Sequence, residues 1–311
     1  MAATATAIIG LGAMGLGMAN NMLRCGIALA GYDIRADARD EFTALGGRAA
    51  GSAFEAAVDA GLVIVMVVDA AQARAVLFGD GDGDGANDNR GAASAMRKGG
   101  TVMLCSTIAP ADARDIAAEA ASAGALFLDA PVSGGHAGAV AGSLTVMASG
   151  PAAAFTAAEP ALTAIADSVH RLGDEPGVGS TYKTVHQLAA GAHLVVAAEL
   201  LAFGARAGCD PQKLFDIVST SAGQSWMLND RAPRMLSGDT RPKSTVDIFV
   251  KDLNLALDAA RDLSMPLPLA SAAHQVLLAA SGMGCGALDD SSVVQVYERL
   301  SGATVRRDKT S

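Results

Sequence analysis

Aromatic side chains are scarce in this chain: Phe, Tyr and Trp make up 4% of 311 residues, with a single tryptophan, Trp226. Half of the residues are apolar and Gly and Ala are abundant, a composition that suits α/β layers and closely crossing helices. Positive charge is in deficit, 23 Lys and Arg against 32 Asp and Glu, for a net charge of −9. That balance argues against a nucleic acid or an anionic membrane as partner, since either requires basic patches. The four cysteines, Cys25, Cys105, Cys209 and Cys285, form no C-x-x-C pair and read as buried, reduced thiols, not as disulfides or zinc ligands. His186 and His193 fall seven apart on one helical face without a carboxylate at ligand spacing, so no metal is expected. Internal repeats and heptads are missing. Residues 1–7 carry neither the basic region nor the cleavage site of a signal peptide, and Ala7-Ile8-Ile9 reads as a first strand; a cytoplasmic protein is expected.

What is present divides in two, as the length predicts. The first half alternates short apolar runs with helical patterns, as βαβ units do. Candidate strands are Thr6–Ile9, Ala28–Tyr32, Leu62–Val68, Thr101–Cys105, Leu126–Leu128 and Leu144–Ala148, with helices at Met14–Cys25 and Pro110–Ser122. After Pro160 the strands are expected to stop. Ser180 to Ala207 reads as one proline-free helix, about 40 Å long at 1.5 Å per residue and apolar on nearly every face. Lys183, His186, Gln187, Glu199 and Arg206 interrupt it and no basic flank follows, so burial is preferred to a membrane span. The predicted fold is an α/β Rossmann domain (1–176) followed by an all-α C-terminal domain (208–311), joined by a long interdomain helix (177–207). Gly79–Asn89, rich in Asp and Gly, reads as a surface loop.

Gly10-Leu11-Gly12-Ala13-Met14-Gly15 follows the first strand and opens a helix, the context a dinucleotide fingerprint needs. Gly10 allows the tight turn, Gly12 lets the backbone approach a pyrophosphate, and Gly15 allows close packing of helix on strand; the helix start favours the anion. Asp33, eighteen residues past Gly15 at the end of the second strand, suits both ribose hydroxyls and repels a 2′-phosphate, favouring NAD over NADP. Arg35 could have supported that phosphate.

Two further stretches carry chemistry. Ser133-Gly134-Gly135, after Asp129-Ala130-Pro131-Val132, is a turn of small residues whose N–H groups can face a carboxylate, although such turns are usually plain loops. Lys183 is placed in the first turn of the long helix, where the dipole disfavours a cation, with His186 and Gln187 at i+3 and i+4. A lysine so placed among apolar residues is a candidate for a lowered pKa and proton transfer; a surface lysine is the plain alternative. Lys251-Asp252 is either a surface ion pair or a lysine facing the site.

These motifs, in this order, resemble the β-hydroxyacid dehydrogenase family over nearly the whole chain, with Ser106-Thr107 and Gly177 to Gln187 adding to the match. The resemblance implies NAD as cofactor, a small-molecule hydroxy acid as substrate, and a homodimer or homotetramer. It implies Lys183 as the catalytic lysine and Ser133, Gly134 and Gly135 as the carboxylate cradle. Thr107 would contact the cofactor, and Lys251 would lie near cofactor and substrate. Most members carry Asn-Asn or Asn-Gln where this chain has His186-Gln187, a departure that points to a polyhydroxylated acid. By resemblance that acid is L-threonate. Reduction of a semialdehyde (glyoxylate, succinic or tartronate) and oxidation of 3-hydroxyisobutyrate are the enzyme alternatives, and a dinucleotide sensor without activity is the alternative of another class.

Overall fold

The apolar runs of the first half become parallel strands because both of their faces are covered. In β1 (Thr6–Ile9), Ile8 packs to one side with Phe42, Ile64 and Met103, while Ala7 and Ile9 pack to the other with Val63, Val65 and Leu104. With β2 (Leu29–Tyr32), β3 (Arg48–Ala49), β4 (Leu62–Val65), β5 (Thr101–Leu104) and β6 (Leu126–Asp129), β1 forms a six-stranded parallel sheet of order β3-β2-β1-β4-β5-β6. The order reverses between β1 and β4, and in open α/β sheets ligands bind at such a switch, beyond the carboxyl ends of the strands. This computed structural model describes residues 5–79 and 90–306, so of the expected surface loop Gly79–Asn89 all but Gly79 lies outside the described residues. Two compact units divide between Lys183 and Thr184. The first is a Rossmann-type α/β unit and the second is helical.

Strands do not stop at Pro160, which lies inside the helix Ala152–Ile165. A second sheet, β7 (Val132–Ser133), β8 (Leu144–Ala148) and β9 (Ala166–Arg171), has β7 antiparallel and β9 parallel to β8. β9, reading Ala-Asp-Ser-Val-His-Arg, is largely exposed at the sheet edge and carries no apolar alternation to announce it. β3 and β7 are two residues each, too short for a periodic signal. A bridge between Asp129 and Ser149 joins the two sheets, each residue donating its N–H to the other's carbonyl at 2.9 and 2.8 Å.

The long helix runs Val178–Arg206, starting two residues earlier than expected. It is long and apolar enough to cross a membrane by length and composition, and half of its most apolar window is buried. Burial on nearly every face is not what forms. Val185, Val196 and Phe203 lie on one outward stripe, with Phe203 74% exposed. In the helical unit, Leu194, Leu201, Met235, Val246, Leu253 and Leu277 form the core. Gly191 permits a close crossing, since a Cβ there would stand 2.8 Å from the Leu253 side chain. Arg231 of the helix Trp226–Ser237 pairs with fully buried Asp290 through Nε at 2.7 Å and Nη2 at 2.8 Å, and Arg234 Nε donates to Asp289 at 2.9 Å. Trp226 is half exposed, with the Arg231 guanidinium 5.7 Å from its ring centre. All four thiols are free. Cys105 and Cys285 are buried as expected, whereas Cys25 and Cys209 are exposed because both lie just past helix C-termini.

Candidate active site

The fingerprint glycines have three different surroundings. Gly10 takes φ +95°, and a Cβ there would lie 2.2 Å from the Met66 carbonyl oxygen. At Gly15 a Cβ would lie 1.9 Å from the Gly10 oxygen, so the first helix could not seat on the strand end. Among the described residues, nothing stands within 4 Å of a Cβ at Gly12. Packing therefore demands glycine at two positions and leaves the third open, as an approaching ligand backbone requires. The helix Ala13–Arg24 has Gly12 as its N-cap and, among the described residues, no side chain capping it, so its first N–H groups suit an anion.

Asp33 is buried, and its carboxylate is tied to that loop. Oδ2 accepts the Leu11 N–H at 2.8 Å, and Oδ1 accepts the N–H of Arg35 at 2.9 Å and its Nε at 3.3 Å. An ionised carboxylate offers about four acceptor positions, so capacity remains for ribose hydroxyls. Arg39 donates to the Asp33 carbonyl at 2.7 Å. Thr107 follows β5, beyond the carboxyl edge that also bears the Gly10–Gly15 loop and Asp33. Its neighbour Ser106 accepts the Val67 N–H at 3.0 Å, fastening the loops after β4 and β5. These residues fit a dinucleotide.

Asp129, at the end of β6, is the node of the first unit. Its Oδ2 accepts the N–H groups of Gly177 and Ser180 at 3.0 and 2.8 Å, and its Oδ1 accepts the Ser180 hydroxyl at 2.7 Å. Burial pushes its carboxyl above the usual range, and these donors offset that rise only in part. Gly179 lies so close that a Cβ would stand 2.7 Å from the Asp129 carbonyl oxygen. The carboxylate thus occupies the positive end of the long helix. Lys183 is the sixth residue of that helix, in its second turn and not the first, and it is buried, 6% exposed. Four residues past Asp129 come Ser133 in β7 and then Gly134 and Gly135, at φ +125° and +58°. One segment therefore both caps the lysine's helix and forms the glycine turn. Burial, reinforced by the Asp129 charge, drives the Cys105 thiol well up, which keeps it inert.

In the helical unit, His186 Nδ1–H donates to Gln187 Oε1 at 3.0 Å, and Gln187 Nε2 donates to Asp252 Oδ2 at 2.5 Å. Lys251 Nζ meets the other oxygen, Oδ1, at 2.7 Å. Asp252 is 3% exposed, so this is no surface pair. One carboxylate holds both Gln187 and Lys251. Sequence reasoning assigned no role to Asp252 or to the Asp129 side chain. The only local sign of either is a carboxylate within an apolar run, and its partners lie 51 and 65 residues away.

Residues 5–173 match the NAD binding domain of 6-phosphogluconate dehydrogenase, and residues 177–297 match the NAD-binding region of NADP-dependent 3-hydroxyisobutyrate dehydrogenase. An L-threonate dehydrogenase of Cupriavidus necator is 46% identical over 290 residues, covering 93% of this chain and 95% of that protein. One from Escherichia coli O6:H1 is 43% identical over 297 residues, covering 94% and 95%. The crystal structure of a protein described as 3-hydroxyisobutyrate dehydrogenase from Salmonella typhimurium superposes with a TM-score of 0.87 at 45% identity, covering 94% of this chain and 99% of that one.

Proposed function

The chain belongs to the β-hydroxyacid dehydrogenase family, and from that premise we propose that it oxidises L-threonate at C2 to 2-dehydro-L-erythronate. It is an NAD-dependent hydroxyacid dehydrogenase. NAD⁺ supplies the hydride acceptor. Backbone N–H groups of Gly10–Gly15 would hold the pyrophosphate and Asp33 the adenosine ribose, with Thr107 a further cofactor contact. Ser133, Gly134 and Gly135 seat the substrate carboxylate. Lys183 Nζ would take the proton of the C2 hydroxyl as the alcohol is oxidised. His186 and Gln187, one turn along the same helix, orient the remaining hydroxyls, while Lys251 serves cofactor and substrate. Residues 1–176 form the nucleotide domain, 177–207 the connecting helix and 208–311 the helical domain. The acidic, cytoplasmic chain works as a homodimer or homotetramer without nucleic acid or membrane.

The observation that carries this reading is the segment Asp129–Gly135, which anchors a buried lysine's helix and leads directly into the glycine turn. Positioned proton transfer contributes about 10²–10⁴-fold. Lys183→Ala should lower kcat by about that factor with NAD⁺ affinity retained. Near-native turnover in the variant removes the assignment. The Salmonella structure's description favours a second reading, 3-hydroxyisobutyrate oxidation or, in reverse, semialdehyde reduction. Against it stands the His186-Gln187 pair, which provides polar groups that a monohydroxy acid does not use. Steady-state rates on four-carbon sugar acids with NAD⁺, set beside rates on the semialdehydes with NADH and NADPH, separate the two.

A further inference from the structure

The glycine turn continues into a short helix, Gly135–Ala141, and that helix is fastened at two places to the fingerprint helix Ala13–Arg24. At its far end the fastening is buried. Asn21 Nδ2 donates to the carbonyls of Ala139 at 2.7 Å, Gly17 at 3.1 Å and Val140 at 3.2 Å. Gly17 has no room for a side chain there, since a Cβ would stand 2.9 Å from the Ala139 carbonyl carbon. At the near end the link is one polar contact, from His136 Nδ1–H to the Ala13 carbonyl oxygen at 3.1 Å. Ala13 belongs to the Gly10–Gly15 loop, and His136 directly follows Gly135. Gly134 and Gly135 both hold positive φ and have no side chains to fix them. His136 is the first side chain past the turn, and it ties the turn to the nucleotide loop.

We propose that His136 is a positioning residue that couples the two ligands. Its hydrogen bond to Ala13 sets the spacing between the nucleotide loop and the carboxylate turn, so that NAD(H) on Gly10–Gly15 orders Ser133–Gly135 for the hydroxy acid. The inference rests on the reading of that turn as the carboxylate seat. A ligand that fixes one wall of a shared structure lowers the ordering cost met by the second, and the effect is reciprocal. Asn21 is the less suited of the two, because it is buried and bonds the far end of the short helix, away from the glycine turn.

NADH fluorescence titrations of the full chain, with and without L-threonate, measure the coupling. Wild-type protein should bind each ligand more tightly in the presence of the other, by a factor within about 5–150. In His136→Ala and His136→Leu the factor should fall to within about twofold of one, while NADH affinity without the acid and the thermal midpoint hold. His136→Asn, which keeps an N–H donor near the position of Nδ1, should recover most of it. Wild-type coupling in both donor-less variants, or its absence from the wild type, overturns the proposal. L-threonate turnover by the wild type is measured first. Failure there removes the substrate reading alone, and the titration then uses whichever acid of the four-carbon panel is turned over.

Discussion

At the scale of single residues, we propose that the nucleotide preference turns on one carboxylate held by the loop it helps to shape. Asp33 binds the Leu11 N–H with one oxygen and Arg35 with the other, so it cannot swing away to admit a 2′-phosphate without breaking both. Arg35 and Arg39 already stand beside it. Asp33→Ser should therefore relax selectivity, raising kcat/KM with NADP⁺ relative to NAD⁺ by roughly one to two orders of magnitude, the size of about 1.4–2.8 kcal/mol. An unchanged ratio in steady-state assays removes the role given to Asp33. This residue was legible in the sequence because a strand end and a glycine count locate it. Asp129 and Asp252 were not, since nothing in their own neighbourhoods names the backbone N–H groups or the amide that they receive.

Among elements, the ones read correctly have a strong local period. Ile8, Ile64 and Met103 alternate with their neighbours across a sheet covered on both sides, and the fingerprint helix starts within one residue of expectation. β8 forms with the bounds expected of it, Leu144–Ala148, whereas β9 escaped because its edge position frees its side chains from alternation. The helical unit depends on a pairing equally hidden from local pattern. Asp290, wholly buried, answers Arg231 across 59 residues. Asp290→Ala leaves that buried guanidinium with the partly exposed Asp230 as its carboxylate partner. Removing one partner of a buried pair costs about 3–5 kcal/mol, and unfolding of the helical unit in urea should show a loss of that order. A loss under about 1 kcal/mol would class the pair with surface ion pairs.

For the whole molecule, the long helix has two exposures to reconcile. One stripe packs in the core with Leu194 and Leu201, and another leaves Val185, Val196 and Phe203 to solvent in the single chain. Burying such a stripe against a second copy is the association we expect, each large apolar side chain contributing about 1.5–3 kcal/mol. Sedimentation of the wild type should give a dimer or tetramer, and Val196→Asp with Phe203→Glu should shift it toward smaller species. A monomeric wild type refutes the expected assembly. The start of the same helix has its own consequence. With Ser180 clamped onto Asp129, only three steps of helix separate the clamp from Lys183. One inserted residue within those steps would rotate the amine by about 100° around the axis without unfolding anything. The length of that interval, more than its composition, therefore aims the amine.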